Sequence, residues 1–218
     1  QPSRRCSPPP LFPFLRATAE CSSCRLCVSF KGAIRQNWRN YSIQVGLLDA
    51  IYSRINDIEQ VRPKALFEFQ GLAHEKSLAR ASKIVELAGI TPDSRVLLIG
   101  AIMDIIRVIL QKGAKLQVAD FALAGTEFDG VRIQYDAEPL IESVDTVIMT
   151  GNTLKTGTIG KLLDTCKKLS KPVLVYAMTG ANIAPWYLNH GASTVTSETF
   201  PYYWYAQTPS LMKVYTVS

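Results

Sequence analysis

Long apolar runs are missing from this sequence. No stretch of eighteen or more apolar residues occurs, so no segment reads as a membrane-spanning helix. Histidine is nearly missing as well: His74 and His190 are the only two in 218 residues. No H-E-x-x-H, G-x-S-x-G or Cys–His pairing is present, so no residue acquires a catalytic role from a motif alone. Whether the chain is an enzyme stays open at this point.

Acidic residues are scarce at one end. Residues 1–41 hold seven Arg and Lys against Glu20 alone, so the whole formal charge of +6 sits there. Over the remaining 177 residues, seventeen basic and seventeen acidic side chains balance. A neutral body argues against nucleic acid as a partner.

The basic arm is compositionally foreign to the rest. Pro8, Pro9 and Pro10 favour extended, unpaired backbone. An acid-poor, Arg-rich and Ser-containing stretch is also the composition of an organelle transit segment. The expected location is therefore cytoplasmic, or an organelle if residues 1–41 are an import signal. Cys21, Cys24 and Cys27 form a C-x2-C-x2-C run, with Cys6 available as a fourth thiolate. Four thiolates could hold a 4Fe–4S cluster or a zinc ion. The run lacks the fourth Cys followed by Pro that ends the bacterial ferredoxin pattern, and it lacks the radical-SAM spacing. Free thiols in a removed or unstructured segment are the plainer alternative. Cys166 falls in step with Ile159, Leu162 and Leu163 on one helical face and reads as core. An odd count of five cysteines argues against a disulfide framework.

Regular periodicity begins near Tyr41. Leu47, Leu48, Ile51, Ile55 and Ile58 predict a helix over about 43–60, and Leu78, Ala81, Ile84, Val85 and Ala88 a second over about 72–88. Strands are predicted at 96–100 and near 115–119, 131–135, 144–150, 173–178 and 193–196. Helical patterns lie between them near 102–112, 137–143, 159–170 and 184–190. Apolar strands alternating with amphipathic helices predict an α/β fold, a Rossmann-like and mostly parallel sheet with helices on both faces, preceded by a helical segment. The expected division is a basic Cys/Pro-rich arm over 1–41, a helical lead-in over 42–90 and a Rossmann-like domain over 91–218.

Ligands of such sheets sit beyond the carboxyl ends of the strands, where the strand order reverses. The loop after the first of these strands keeps Gly100 but lacks the other two glycines of G-x-G-x-x-G, which argues against a standard NAD or FAD site. Asp120 ends the second strand, where a ribose-binding acid would stand. The segment "TGNTLKTGT" supplies Thr150, Gly151, Asn152, Thr153, Thr156, Gly157 and Thr158 between a buried strand and a helix N-terminus. Free amides and the helix dipole there would favour a carboxylate, a phosphate or a similar anion. Helix capping by the same Thr and Asn residues is the alternative. On this reading, Gly151→Val should abolish binding with little effect on the fold. Thr179, Gly180 and Asn182 repeat the chemistry after the next strand, and the two loops are expected to face each other across one crevice. Asp104, Asp136 and Glu198, the last just after the final strand, could each add a carboxylate to the crevice, although an ordinary surface charge is the plainer reading of each. Phe200, Tyr202, Tyr203, Trp204 and Tyr205 could wall a pocket, or close a core or a homo-oligomer interface.

The segments "VDTVIMTGNTLKTGTIGKLLD" and "VLVYAMTGANIAPWYLNHGAS" resemble the DUF364 family, a heavy-metal chelation domain with a Rossmann-like fold. Thr150, Gly151, Thr153, Leu154, Gly157 and Thr158 match its loop, while Thr156 stands where the family usually has Asn. The resemblance covers about residues 94–200. It implies a ligand or metal-chelate role for the crevice rather than a reaction. Two readings follow: a protein that binds a small molecule, an anion or a metal chelate, or an enzyme with a SAM-like or nucleotide-type cofactor in the same crevice.

Overall fold

The computed structural model describes residues 41–199 and 208–217. The cluster or zinc site expected at Cys6, Cys21, Cys24 and Cys27, and the aromatic stretch from Phe200 to Tyr205, lie outside them.

The chain begins with helix α1 (Tyr41–Ile58), strand β1 (Ala65–Phe69) and helix α2 (Ala73–Leu87). A regular alternation follows: β2 (Arg95–Ile99), α3 (Met103–Gln111), β3 (Lys115–Ala119), a short β4 (Glu127–Phe128), β5 (Val131–Gln134), a 3-10 turn (Glu138–Ser143) and β6 (Thr146–Thr150). A single turn of helix, α4 (Asn152–Lys155), precedes α5 (Ile159–Lys168). Then come β7 (Val173–Ala177), a second 3-10 segment (Ala184–His190), β8 (Thr194–Glu198) and β9 (Ser210–Thr216).

The strands form one sheet in the order β1-β9-β8-β7-β6-β2-β3-β5-β4. The six strands from β5 to β8 run parallel, while β4, β9 and β1 pair antiparallel at the edges. A parallel sheet must be covered on both faces, and the residues divide accordingly. Val96 and Leu98 of β2 pack with Ile84 and Val85 of α2 and with Ile105, Ile106 and Ile109 of α3. Leu97 and Ile99 point the other way, into the cluster of Val45 and Tyr52 of α1 and Ile159, Leu162 and Leu163 of α5. This alternation is the two-residue period of a strand. Cys166 is fully buried in the second cluster, and burial pushes its thiol up to about 11. It is core, as its helical spacing predicts.

The Rossmann-like sheet and the helices on both faces match the sequence reading. The lead-in does not stay helical, however. Residues 65–69 alternate inward and outward as a strand and pair with β9 from Ala65↔Val214 to Phe69↔Ser210. Local periodicity could not show this, because the partner strand lies far along the chain. The helical patterns at 137–143 and 184–190 take 3-10 form, each with a proline in its first turn. Short 3-10 pieces suit connectors too brief for an α-helix.

Two ionic contacts fix the sheet. At the amino end of β2, Arg95 donates its backbone N–H to Asp145 Oδ2 at 2.9 Å and its Nη2 to Oδ1 at 2.5 Å, while Asp145 N donates to Arg95 O at 2.7 Å. This closes β2 onto the start of β6. At the far end of β8, Glu198 is 2% exposed and receives Arg80 Nε at 2.5 Å and Nη2 at 2.9 Å. Arg80 Nη2 also donates to Ser210 Oγ at 3.1 Å, and its guanidinium lies 5.6 Å from the Phe69 ring centroid. Glu198 is therefore a buried tie between α2, β8 and β9 rather than a crevice carboxylate.

Hydrogen bonds from Arg95 hold the Asp145 carboxyl down at about 2, below the usual carboxylate value. A depressed carboxylate stabilises the fold above its unfolded pKa, near 4, and that stabilisation is lost as pH falls toward 2. Asp145→Asn should therefore lower stability to urea at pH 7 and match the parent near pH 2. Curves that differ equally at both pH values would show that the charge is not the cause. Glu198→Gln removes the carboxylate charge that faces Arg80 in this buried tie, and it should cost about 3–5 kcal/mol in chemical denaturation.

Candidate ligand-binding site

The chain leaves β2 toward β3 and β5 on one side, then returns past β2 to β6 on the other. The strand order therefore reverses between β2 and β6, and a crevice opens beyond their carboxyl ends. A cavity of about 270 Å³ lies there. Gly100 and Ile99 line it from β2, Asp120, Phe121 and Ala122 from the end of β3, and Tyr135 to Glu138 from the end of β5. Asn152, Thr153, Lys155, Thr156, Thr158, Lys161 and Leu162 close it from the β6 side.

Gly100 is positioned by a steric constraint. Its φ is +90°, and a Cβ there would lie 1.9 Å from Thr150 Oγ1. Only glycine avoids that clash and takes that backbone conformation readily. Thr150 itself is buried, and its hydroxyl has no hydrogen-bond partner among the described residues. Asp120 sits across the mouth from Gly100. Its Oδ2 accepts Ala101 N–H at 2.9 Å, and its Oδ1 accepts Ala122 and Leu123 N–H at 2.8 and 3.2 Å. The carboxylate thus staples the loop after β2 to the loop after β3.

The loop from Gly151 to Thr158 folds differently from a nest of free amides. Leu154 N donates to Gly151 O, Thr156 N to Asn152 O, Gly157 N to Leu154 O and Thr158 N to Thr153 O, all at 3.0–3.1 Å. Gly151 N is taken by Tyr176 O at 2.8 Å. A stretch this short satisfies its own backbone by coiling into one helical turn. The Thr156 hydroxyl also donates to the carbonyls of Asn152 and Thr153, and the Thr158 hydroxyl to that of Thr153. Thr156 and Thr158 share a hydroxyl contact at 3.0 Å, and both line the cavity. Among the described residues, the Asn152 amide and the Lys155 ammonium have no partner. Lys161 is paired with Glu138, whose carboxylate raises the lysine pKa above its ordinary value.

The second loop lies outside the cavity. Asn182 donates N–H to Asp49 Oδ1 at 2.8 Å and Nδ2 to Oδ2 at 3.1 Å, and it accepts from Asn56 Nδ2 at 2.8 Å. Trp186 Nε1 donates to Asn56 Oδ1 at 2.8 Å. These contacts dock the loop on α1. A Cβ on Gly180 would meet Leu154 Cδ2 at 2.3 Å, and one on Gly151 would meet Thr179 O at 2.5 Å. The two loops are packed against each other with no space between them. Of the residues singled out from the sequence, Gly100, Asp120, Asp136, Asn152, Thr153, Thr156 and Thr158 line the cavity. Thr150, Gly151, Gly157, Thr179, Gly180 and Asn182 build its support.

Residues that sequence reasoning did not single out complete the lining. Phe121 and Tyr135 are 46% and 66% exposed, with ring centroids 4.9 Å apart. Each follows a strand that neighbours β2 or β3, which is the signal that could have found them. The tight packing of Gly151 on Thr179 reverses one expectation from the sequence. Gly151→Ala should itself lower the melting temperature by several degrees, because a backbone oxygen cannot move aside as a flexible side chain can. A variant that melts with the parent would show that the loop yields easily.

The family model described as "Putative heavy-metal chelation", DUF364, matches residues 83–199. No curated protein matches the chain. Among solved structures, a DUF364 protein of unknown function from Desulfitobacterium hafniense DCB-2 is similar at 12% identity. The likeness covers 60% of this chain and 56% of that one, with a TM-score of 0.45. A DUF364 protein of unknown function from Pyrococcus horikoshii is similar at 17% identity over 66% of each chain, with a TM-score of 0.45. A mitochondrial aspartate aminotransferase from Trypanosoma brucei is similar at 10% identity over 70% of this chain and 45% of that one, with a TM-score of 0.41. This chain thus spans less than two thirds of the length of both DUF364 structures. With the family model matching more than half of its residues, the chain belongs to the DUF364 family.

Proposed function

We propose that this protein binds a small organic molecule, free or as a metal chelate, in the cavity between the ends of β2, β3, β5 and β6. One observation carries the reading: a cavity of about 270 Å³ at the reversal of strand order, lined by Gly100, Asp120, Asn152, Thr153, Thr156 and Thr158. Cavities of this kind, apolar with a few convergent polar groups, are the usual places for small ligands in α/β sheets. Ile99, Ala119, Ala122, Ala137 and Leu162 give the apolar surface, and Asn152, Lys155, Thr156 and Thr158 give the polar groups.

The lining does not fit a bare metal ion. Among the described residues, no group of three or more His, Cys, Asp or Glu side chains could hold one. Asp120 has three of its acceptor positions on backbone amides, and Glu138 is engaged by Lys161 and Thr165, so neither offers a metal more than a single position. A metal in this cavity would therefore arrive with its coordination largely filled by an organic chelator, and the protein would recognise the chelator.

Ala122 offers a direct test, because it lines the cavity and is exposed. Native mass spectrometry of the full chain should reveal a co-purified small molecule. Ala122→Trp fills the space, so it should lose that molecule while melting within a few degrees of the parent. Retention of the molecule by Ala122→Trp would place the site elsewhere.

A further inference from the structure

If that cavity is the binding site, its walls also define a ligand class. We infer that it takes an amino-bearing nucleoside without a diphosphate, with the base stacked on Phe121 and Tyr135 and one ribose hydroxyl on Asp120.

The base comes from the aromatic pair. Phe121 and Tyr135 both line the cavity and both remain largely exposed. Their centroids are 4.9 Å apart at an interplanar angle of 51°, so no third ring fits between them. A planar ligand would instead cover their cavity face, where it removes apolar ring surface from water. Asp136 stands next to Tyr135 in the lining. Only its Oδ1 is engaged, by Glu138 N–H at 3.1 Å, which leaves Oδ2 to accept from an exocyclic amino group.

The sugar comes from Asp120. A carboxylate has about four acceptor positions, and three backbone amides occupy three of them. Oδ2 carries a single amide, so one hydroxyl can still bond there. An acid at the end of this strand is placed for a ribose hydroxyl in nucleotide-binding sheets.

The missing diphosphate follows from the loops. Gly100 N is bonded to Ala119 O at 2.8 Å and Ala101 N to Asp120. In the loop after β6, the amides of Gly151, Leu154, Thr156, Gly157 and Thr158 are taken within the protein. A pyrophosphate is held by several free amides of a glycine-rich turn leading into a helix, and these turn amides are already bonded within the protein. What remains near them is hydroxyl and amide side chains, with Lys155 the one cation of the lining that lacks a partner among the described residues.

Calorimetric titration of the full chain with adenosine tests this inference. One-site binding is expected, with inosine and ADP each bound about tenfold more weakly. Phe121→Ala and Tyr135→Ala should each weaken adenosine about tenfold. Both rings are exposed, so these variants should melt with the parent. Equal adenosine affinity in both ring variants overturns the stacking site, and ADP binding as tight as adenosine overturns the absence of a phosphate subsite. If adenosine does not bind while Ala122→Trp strips the co-purified molecule, the nucleoside assignment falls and the cavity stands. If Ala122→Trp also keeps that molecule, both fall.

Discussion

The pairing of β2 with β6 is the constraint on which the rest of the molecule depends. It joins the two halves of the sheet at the place where the strand order reverses. Arg95 and Asp145 close it at the amino end through backbone and side-chain bonds in both directions. At the carboxyl end the strands come so close that Thr150 Oγ1 occupies the space of a side chain on Gly100. The crevice above is thus set by a steric contact below it. Its position is rigid because both strands are buried on both faces.

Around that pair, polar groups act mainly as fasteners. Asp120 binds two loops together, Asp49 and Asn56 hold the loop after β7 on α1, and Glu198 with Arg80 ties α2 to the sheet edge. Each takes several hydrogen bonds, which is how a buried or half-buried polar group avoids an uncompensated loss of water. The consequence for binding is a division of labour. Many backbone amides near the crevice are spent on its construction, and the cavity presents hydroxyls, one amide, carboxylates, two aromatic rings and a lysine without a partner among the described residues. On the proposed reading, such a site would discriminate by ring stacking and by a few directed bonds rather than by a concentrated positive field. The neutral body of the chain is consistent with that chemistry.

Much of the architecture was legible because it rests on local patterns. The apolar runs of β2, β6 and β7 and the stripe of Ile159, Leu162, Leu163 and Cys166 on α5 report burial directly. Strand ends followed by Gly, Thr and Asn pointed to the carboxyl end of the sheet, where Gly100, Asp120, Asn152, Thr153, Thr156 and Thr158 line a cavity. Strand β1 escaped because an edge strand of five residues carries a weak pattern and its partner β9 is distant in sequence. The loop at Thr179–Asn182 looked like a second half of the site because its composition copies that of the first. Composition cannot tell a loop that faces a ligand from one that faces α1.

The sequence by itself determined the fold class, the order of most of its strands and helices along the chain, and the core faces of α2, α3 and α5. Each of these depends on residue type and spacing within a few turns of chain. Only the tertiary structure decided which loops share a cavity, since that depends on strand order and brings the end of β5 beside the loop after β6. It also decided which amides are already bonded. A donor that reads as free in the sequence becomes a spent one where the chain coils back upon itself, as at Leu154, Thr156, Gly157 and Thr158.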